Sequence, residues 1–154
     1  MLTEDDWQIW RDLRLAALAE SPQAFGSRLA DWQGDGDREE RWRGRLGIPG
    51  SYNLIALIDG RPAGMASGIP AGEPGVAELI SMWVSPAARG RGVGDRLLAA
   101  VEQWARQAGA GALKLCVYEG NAAARALYRR AGFAGTGELV PDGGRREMVM
   151  LKAL

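Results

Sequence analysis

Residues Ala77 to Val84 form a nearly continuous apolar run, interrupted by Glu78 and Ser81. A glycine-rich turn follows, from Arg89 to Gly94, and then an amphipathic stretch carrying Leu97, Leu98, Val101, Trp104 and Ala105. A second apolar run, Ala112 to Tyr118, comes after Gly109 and Gly111. Short apolar runs bounded by turn residues read as strands buried on both faces. Pro86 closes the first run, and the paired glycines close the helix. Strand, glycine turn, helix and strand together make one parallel βαβ unit. This unit is what most constrains the fold, because its two strands must lie side by side under a covering helix.

The flanking segments add hairpins to that unit. Tyr52 to Ile58 is rich in strand-forming residues, Asp59-Gly60 is a hairpin turn signal, and a return strand runs from about Ala63 to Ile69. Gly72 to Gly75 makes a second turn. Arg146 to Leu151 reads as a last strand, with a loop from Glu138 to Arg145 before it. At the N-terminal end, Thr3 with Asp5 and Asp6 marks a helix start, since acids suit the positive end of the helix dipole. Trp7, Trp10, Leu13, Ala17 and Leu18 then recur at helical spacing until Ser21-Pro22. Asp35 to Leu46 reads as a second helix, and Ala122 to Ala131 as a short one stopped by Gly132. These elements give an α/β chain with a mixed sheet, in one domain over its 154 residues.

Composition narrows the chemistry. There is no histidine, so a Ser-His-Asp or Cys-His site is excluded, and acid–base work falls to Asp, Glu, Tyr, Lys, Cys or water. Cys116 is the only cysteine, which rules out an intrachain disulfide and a cysteine zinc cluster and fits a reducing cytoplasm. No metal site is expected. Basic and acidic residues balance at 19 each, which argues against a nucleic-acid-binding domain. The acidic start, Met1 to Asp6, is no signal peptide. No apolar run approaches the roughly 20 residues that span a bilayer, so no membrane partner is expected.

The turn Arg89-Gly90-Arg91-Gly92-Val93-Gly94 suits an anion. The first turn of a helix leaves amides unpaired, and its dipole favours negative charge. Glycines let a phosphate approach those donors, while Arg89 and Arg91 add full charges. The spacing is not that of a P-loop, G-x-x-x-x-G-K-S/T, and it is not the G-x-G-x-x-G of a dinucleotide fold.

The segment Val84 to Gly94 resembles the acetyl-CoA signature of the GCN5-related N-acetyltransferase (GNAT) superfamily: Arg or Gln, two residues, Gly, one residue, Gly or Ala. Arg89, Gly92 and Gly94 meet that pattern. A second block, Asn121 through Tyr128 and then Gly132-Phe133, is similar to the family's downstream motif. Asp59-Gly60 and Ala24-Phe25-Gly26 are similar to segments of bacterial members. The resemblance implies a mixed, mostly antiparallel sheet of six to seven strands. Its central parallel pair would be splayed around the cofactor, with about four helices flanking. It also implies an acetyl-CoA-dependent N-acetyltransferase that transfers acetyl directly to a primary amine of a small molecule or peptide. Alternatives are a protein N-terminal or lysine acetyltransferase, or a non-catalytic acetyl-CoA-binding module.

Residue by residue, the resemblance implies that the amides from Arg89 through Gly90, Arg91, Gly92, Val93, Gly94 and Asp95 wrap the CoA pyrophosphate. Asp95 would turn its backbone, not its carboxylate, toward phosphate. Main-chain groups of Met82, Trp83 and Val84 would bind the pantetheine arm as an added strand. Asn121 would hydrogen-bond that arm, though its residue type equally suits a helix N-cap. Tyr128 would be the general acid, since a phenol of pKa about 10 can protonate a departing thiolate of pKa about 8.5 or higher. Read without that motif, it is rather an apolar-face residue of a short helix, like Leu127. Glu78 would be a general base acting through water, or else a salt-bridge partner on the sheet. The family often dimerises, and nothing in the sequence fixes a mode.

Other residues have plainer readings. Cys116 reads as a small core residue. Trp7, Trp10 and Trp104 fall on helical core faces, whereas Trp32, Trp42 and Trp83 are candidates for the acceptor pocket. The Arg38 to Arg45 run reads as a solvated helix face. Acceptor choice is expected to reside in Ser21 to Leu46 and Glu138 to Arg145.

Overall fold

The computed structural model describes residues 2–20, 29–142 and 145–154. The helix end at Ser21-Pro22 and the segment Ala24-Phe25-Gly26 lie outside the described residues. Among those described, the α-helices are α1 (Trp7–Glu20), α2 (Glu39–Leu46), α3 (Val93–Gln107) and α4 (Ala122–Arg130). The strands are β1 (Tyr52–Ile58), β2 (Arg61–Pro70), β3 (Val76–Val84), β4 (Ala112–Tyr118), β5 (Ala134–Asp142) and β6 (Arg145–Ala153). They form one six-stranded sheet in the order β1-β2-β3-β4-β6-β5. Only β3 and β4 pair in parallel; every other neighbour is antiparallel. The fold is the mixed sheet with four flanking helices that the sequence implies. No helix of the described residues is long and apolar enough to cross a membrane.

Local chemistry explains the elements. Thr3 caps a one-turn 3-10 helix, Glu4–Asp6, that leads into α1, and Asp6 returns a carboxylate to the Thr3 amide (2.8 Å) in a capping box. Asp59 and Gly60 both adopt positive φ (51° and 77°), the geometry that joins right-twisted strands β1 and β2. The second helix is shorter than the sequence suggests. Gly34–Gly36 turns as a separate 3-10 helix, and α2 begins only at Glu39. The expected loop Glu138 to Arg145 is also corrected. Most of it is strand, the end of β5 and the start of β6. Gly135, Gly137 and Pro141 hide the β-pattern there, and pairing with β6 overrides them.

Two apolar clusters cover the two sides of the sheet. Leu97, Leu98, Val101 and Ala105 of α3 pack with Ala77, Leu79, Leu113, Leu115 and Val117. On the other side Trp10, Leu13, Ala17 and Leu18 of α1 meet Trp42 and Leu46 of α2, with Met65 and Trp83 from the sheet. Strand β3 serves both sides, and a bulge switches which of its residues face each one. Its register against β2 slips between Met65–Trp83 and Ser67–Ile80, and Ser81 at the slip has φ 56°. One extra residue inverts the alternation of side chains. Ala77 and Leu79 face α3 before the bulge, whereas Trp83 beyond it faces α1 and α2. Met82 and Val84 pack instead against the α3 cluster.

Cys116 departs from its expected place. It is exposed, because Leu113, Leu115 and Val117 take the inward positions of β4 and alternation puts Cys116 on the opposite face. Partial desolvation, then the carboxylates of Glu78 and Glu147, push its thiol up, so it stays protonated near neutrality.

Candidate active site

The parallel ladder between β3 and β4 is only three residues long: Val76–Ala112, Ala77–Leu113 and Glu78–Lys114. Beyond Glu78 the strands diverge. A cavity of about 860 Å³ opens at the end of that gap, within the size range of small-molecule sites. Its walls are the end of β3 (Met82, Trp83, Val84), the glycine turn and first turn of α3 (Arg89 to Asp95 without Arg91), the end of β4 at Tyr118, and α4 with Asn121 and Tyr128.

The strand wall offers main-chain groups. Ser85 N–H donates to the Ala63 carbonyl of β2 (2.8 Å), and Gly64 stands opposite Val84. Alternation along an antiparallel pair then turns the amides and carbonyls of Met82 and Val84 away from β2, into the gap. Trp83 differs from its neighbours. The same alternation points its main chain at Met65 of β2, and its indole N–H donates to Glu20 (3.0 Å) at the end of α1.

The turn wall offers more amides. Gly90 and Gly92 have φ 78° and 79°, which ordinary residues avoid, and Gly92 is the N-cap of α3. The first intrahelical bond runs from Arg96 N–H to the Gly92 carbonyl (3.1 Å), so the amides of Val93, Gly94 and Asp95 have no acceptor within the helix. Gly94 is small for a different reason. A β-carbon there would come within 3.2 Å of Leu127, so glycine lets α3 close against α4.

Charges are arranged around these donors. Arg89 reaches back to the Val84 carbonyl (3.1 Å) and to Glu20 (2.8 Å). The Asp95 carboxylate is engaged by Arg130 of α4 (3.1 Å). Arg91 is exposed and lines no part of the cavity. Arg130, which the sequence reading passed over, does line it. Its only sequence signal is its place at the basic end of the short helix.

Asn121 caps α4, its Oδ1 accepting from Ala124 N–H (3.2 Å), while the residue lines the cavity. Tyr128 is 7% exposed and packs edge-on against Phe133 with centroids 6.0 Å apart. Burial pushes its phenol well above the usual range, so it remains protonated. Glu78 stands apart from this constellation. It sits at the last closed rung of the parallel ladder, opposite Lys114, and does not line the cavity. Lys114 itself pairs with Glu73 (2.8 Å).

One tryptophan expectation is corrected on the α1–α2 side. Trp42 is fully buried in the helix cluster, with its indole N–H donated to Asp37 (2.8 Å), and so lines no pocket. Trp32 packs on it at 4.5 Å and carries Arg41 over its own ring. The Arg38 to Arg45 run is not wholly solvated either. Arg45 lies three residues from Trp42, on the inward face of α2, and reaches β1, β2 and β3.

The sequence profile of the Acetyltransferase (GNAT) family matches residues 7–133. The chain belongs to the GNAT acetyltransferase family. An IAA acetyltransferase of Azospirillum brasilense is 40% identical over 98 residues, covering 64% of this chain and 64% of that one. A mycothiol acetyltransferase of Renibacterium salmoninarum is 29% identical over 131 residues, covering 85% of this chain but 38% of the relative. The chain thus spans well under half the length of that relative, and about two thirds of the former. Among solved structures, a GCN5-related N-acetyltransferase from Kribbella flavida superposes with a TM-score of 0.77 at 26% identity, over 99% of this chain and 95% of that one. The GNAT match spans β1 to β4, both helices of the cavity and the Gly132-Phe133 pair that follows α4.

Proposed function

We propose that this GNAT chain transfers the acetyl group of acetyl-CoA directly to a primary amine of a small molecule or peptide. The observation that carries this reading is the joining of two sets of main-chain donors in one cavity. One set lies along the inner edge of β3 and the other at the start of α3. A pyrophosphate suits the second set, because it finds unpaired amides, the helix dipole and Arg89 together. An amide-bearing arm suits the first, because it adds to the open edge as a strand would. Asn121 has an amide NH2 left to donate once its oxygen caps α4. The residues therefore fit the co-substrate without a metal ion.

The chemistry follows from the same wall. The amine nitrogen attacks the thioester carbonyl carbon, and the carbonyl oxygen gains negative charge. An amide of Met82 or Val84, aimed into the gap, stabilises that charge at no cost of reorganisation. The C–S bond then breaks, and the sulfur leaves as a thiolate that takes a proton. Tyr128 holds that proton. Its burial makes it a weaker acid than a free phenol, so its contribution rests on position: an O–H donor kept protonated beside the departing sulfur. The amine must arrive unprotonated; after attack its nitrogen gives up one further proton to water, from which the Tyr128 phenolate regains the proton it passed to sulfur. Glu78, outside the cavity, would receive that proton only through intervening water. The relatives named for mycothiol and for IAA support an acceptor other than nucleic acid.

A thermal melt tests the co-substrate first. Acetyl-CoA at 100 times its dissociation constant adds about 2.7 kcal/mol, a rise of roughly 5 to 10 °C for a domain of this size. Release of free thiol with a panel of amines then tests transfer. No rise in Tm and no thiol release would sink the reading.

A further inference from the structure

Ser81 occupies a position that glycine would fill without strain. Its φ of 56° is the left-handed conformation of a bulge residue, where a β-carbon is unfavourable. Its hydroxyl explains what a serine does there. Arg45 Nη2 donates to Ser81 Oγ (3.0 Å) and to Ser67 Oγ (3.1 Å), while Nη1 donates to Asn53 Oδ1 (3.1 Å). The receiving groups are themselves fixed. Ser67 Oγ donates to Asn53 Oδ1 (2.7 Å), and Asn53 Nδ2 donates to the Leu46 carbonyl (3.3 Å) at the end of α2. Asn53 and Ser67 are buried, at 1% and 0% exposed. The guanidinium lies over the Trp10 ring at 5.1 Å. One cation thus ties α2 to three strands, and every hydrogen-bond acceptor named for it is neutral.

Its place in the fold gives this cluster a purpose. The bulge is the device that turns the amides of Met82 and Val84 into the gap, since the alternation downstream of Ser81 depends on the extra residue. We infer that Arg45 is a positioning residue for acetyl transfer: it holds Ser81 in the left-handed conformation and so aims the Met82 amide at the thioester carbonyl. The inference rests on the acetyl-CoA reading above. It concerns the acetyl end of the ligand alone, because the phosphate cradle is built from other residues.

Acetyl-CoA and free CoA differ in the group Arg45 is said to serve. Calorimetric dissociation constants for both ligands therefore isolate it. Replacing Arg45→Met keeps an unbranched apolar stem and removes the donors together with the cation over Trp10. The ratio of acetyl-CoA to CoA affinity should fall about tenfold, the size of one backbone hydrogen bond, while CoA itself changes by less than about twofold. Ser81→Ala, which removes only the acceptor hydroxyl, should shift the ratio in the same direction and carries the test if Arg45→Met does not fold. The double variant Arg45→Met/Ser81→Gly should recover the ratio, because glycine holds the bulge without a clamp. An unchanged ratio in a folded variant, or equal loss for both ligands, overturns the positioning role and leaves the acetyl-CoA reading standing. A wild-type protein that binds neither ligand overturns that reading, and the role of Arg45 with it.

Discussion

On the α3–α4 side of the sheet, the atoms offered to a ligand are mostly main-chain amides, at the turn shaped by Gly90 and Gly92 and along the inner edge of β3. On the α1–α2 side the polar atoms are side chains that bond to one another, drawn together from distant parts of the chain. Arg45, Asn53, Ser67 and Ser81 meet in one cluster, and Glu20, Trp83 and Arg89 in another. The first side works by leaving atoms out, so it fails when atoms are added. The second works by holding side chains in place, so it fails when they are removed.

Adding a side chain to the glycine turn should have the largest effect. Gly92→Glu puts a carboxylate at a positive-φ position beside the unpaired amides. Acetyl-CoA binding should disappear from calorimetry and from the thermal melt. Tyr128 belongs to the α3–α4 side, yet it is a side chain, and removing its hydroxyl should spare binding but not turnover. Tyr128→Phe is expected to lower kcat by about 100-fold or more, with the acetyl-CoA dissociation constant changed little. A normal kcat would show that the sulfur takes its proton from elsewhere.

Deleting a large side chain from the second side should act on stability. Trp10 is fully buried between α1 and the sheet. Trp10→Ala should reduce the free energy of unfolding by about 3–5 kcal/mol, read from denaturant titration. The smallest effect is expected at Asp37, whose carboxyl is held down at about 2 from its ordinary 3.8, chiefly by hydrogen bonds from Arg11 (2.7 Å) and then from the Trp42 indole. A depressed carboxylate stabilises the fold above the unfolded pKa and loses that contribution as pH falls through the folded one. Tm of the wild type should therefore drop between pH 4 and pH 2 more steeply than that of Asp37→Asn. Parallel acid limbs would mean that this pair contributes nothing measurable.

The same contrast explains what could be read from the sequence. Tyr52–Ile58 and Ala112–Tyr118 were legible to the residue, because runs of strand formers bounded by turns leave few alternatives. The glycine turn was legible because a backbone site needs neighbouring residues with special conformations, which writes a local motif. Strand β5 was hidden by Gly135, Gly137 and Pro141, since its pairing is set by β6 and not by its own propensity. Arg45 was hidden more deeply. Its partners lie 8, 22 and 36 residues away, and a basic helix gives no local sign of which arginine turns inward. Cys116 was misplaced because an apolar run does not say which of its members alternation sends outward. The separation of Glu78 from the cavity depends on where the parallel ladder stops, a matter of three rungs that no propensity records.

That short ladder has a consequence for how the protein lives among other proteins. An unpaired strand edge is ordinarily a hazard, because it invites the edge of a neighbouring molecule and so leads to aggregation. Here, besides the outer strands β1 and β5, one unpaired edge lies inside the sheet, between β3 and β4. A foreign strand would have to force apart two three-stranded halves that share α3 as a common cover before it found anything to pair with. A recess of this kind admits a slender, flexible chain and turns away a sheet. The molecule can therefore carry a permanently open hydrogen-bonding edge at its centre without exposing it to the crowd outside.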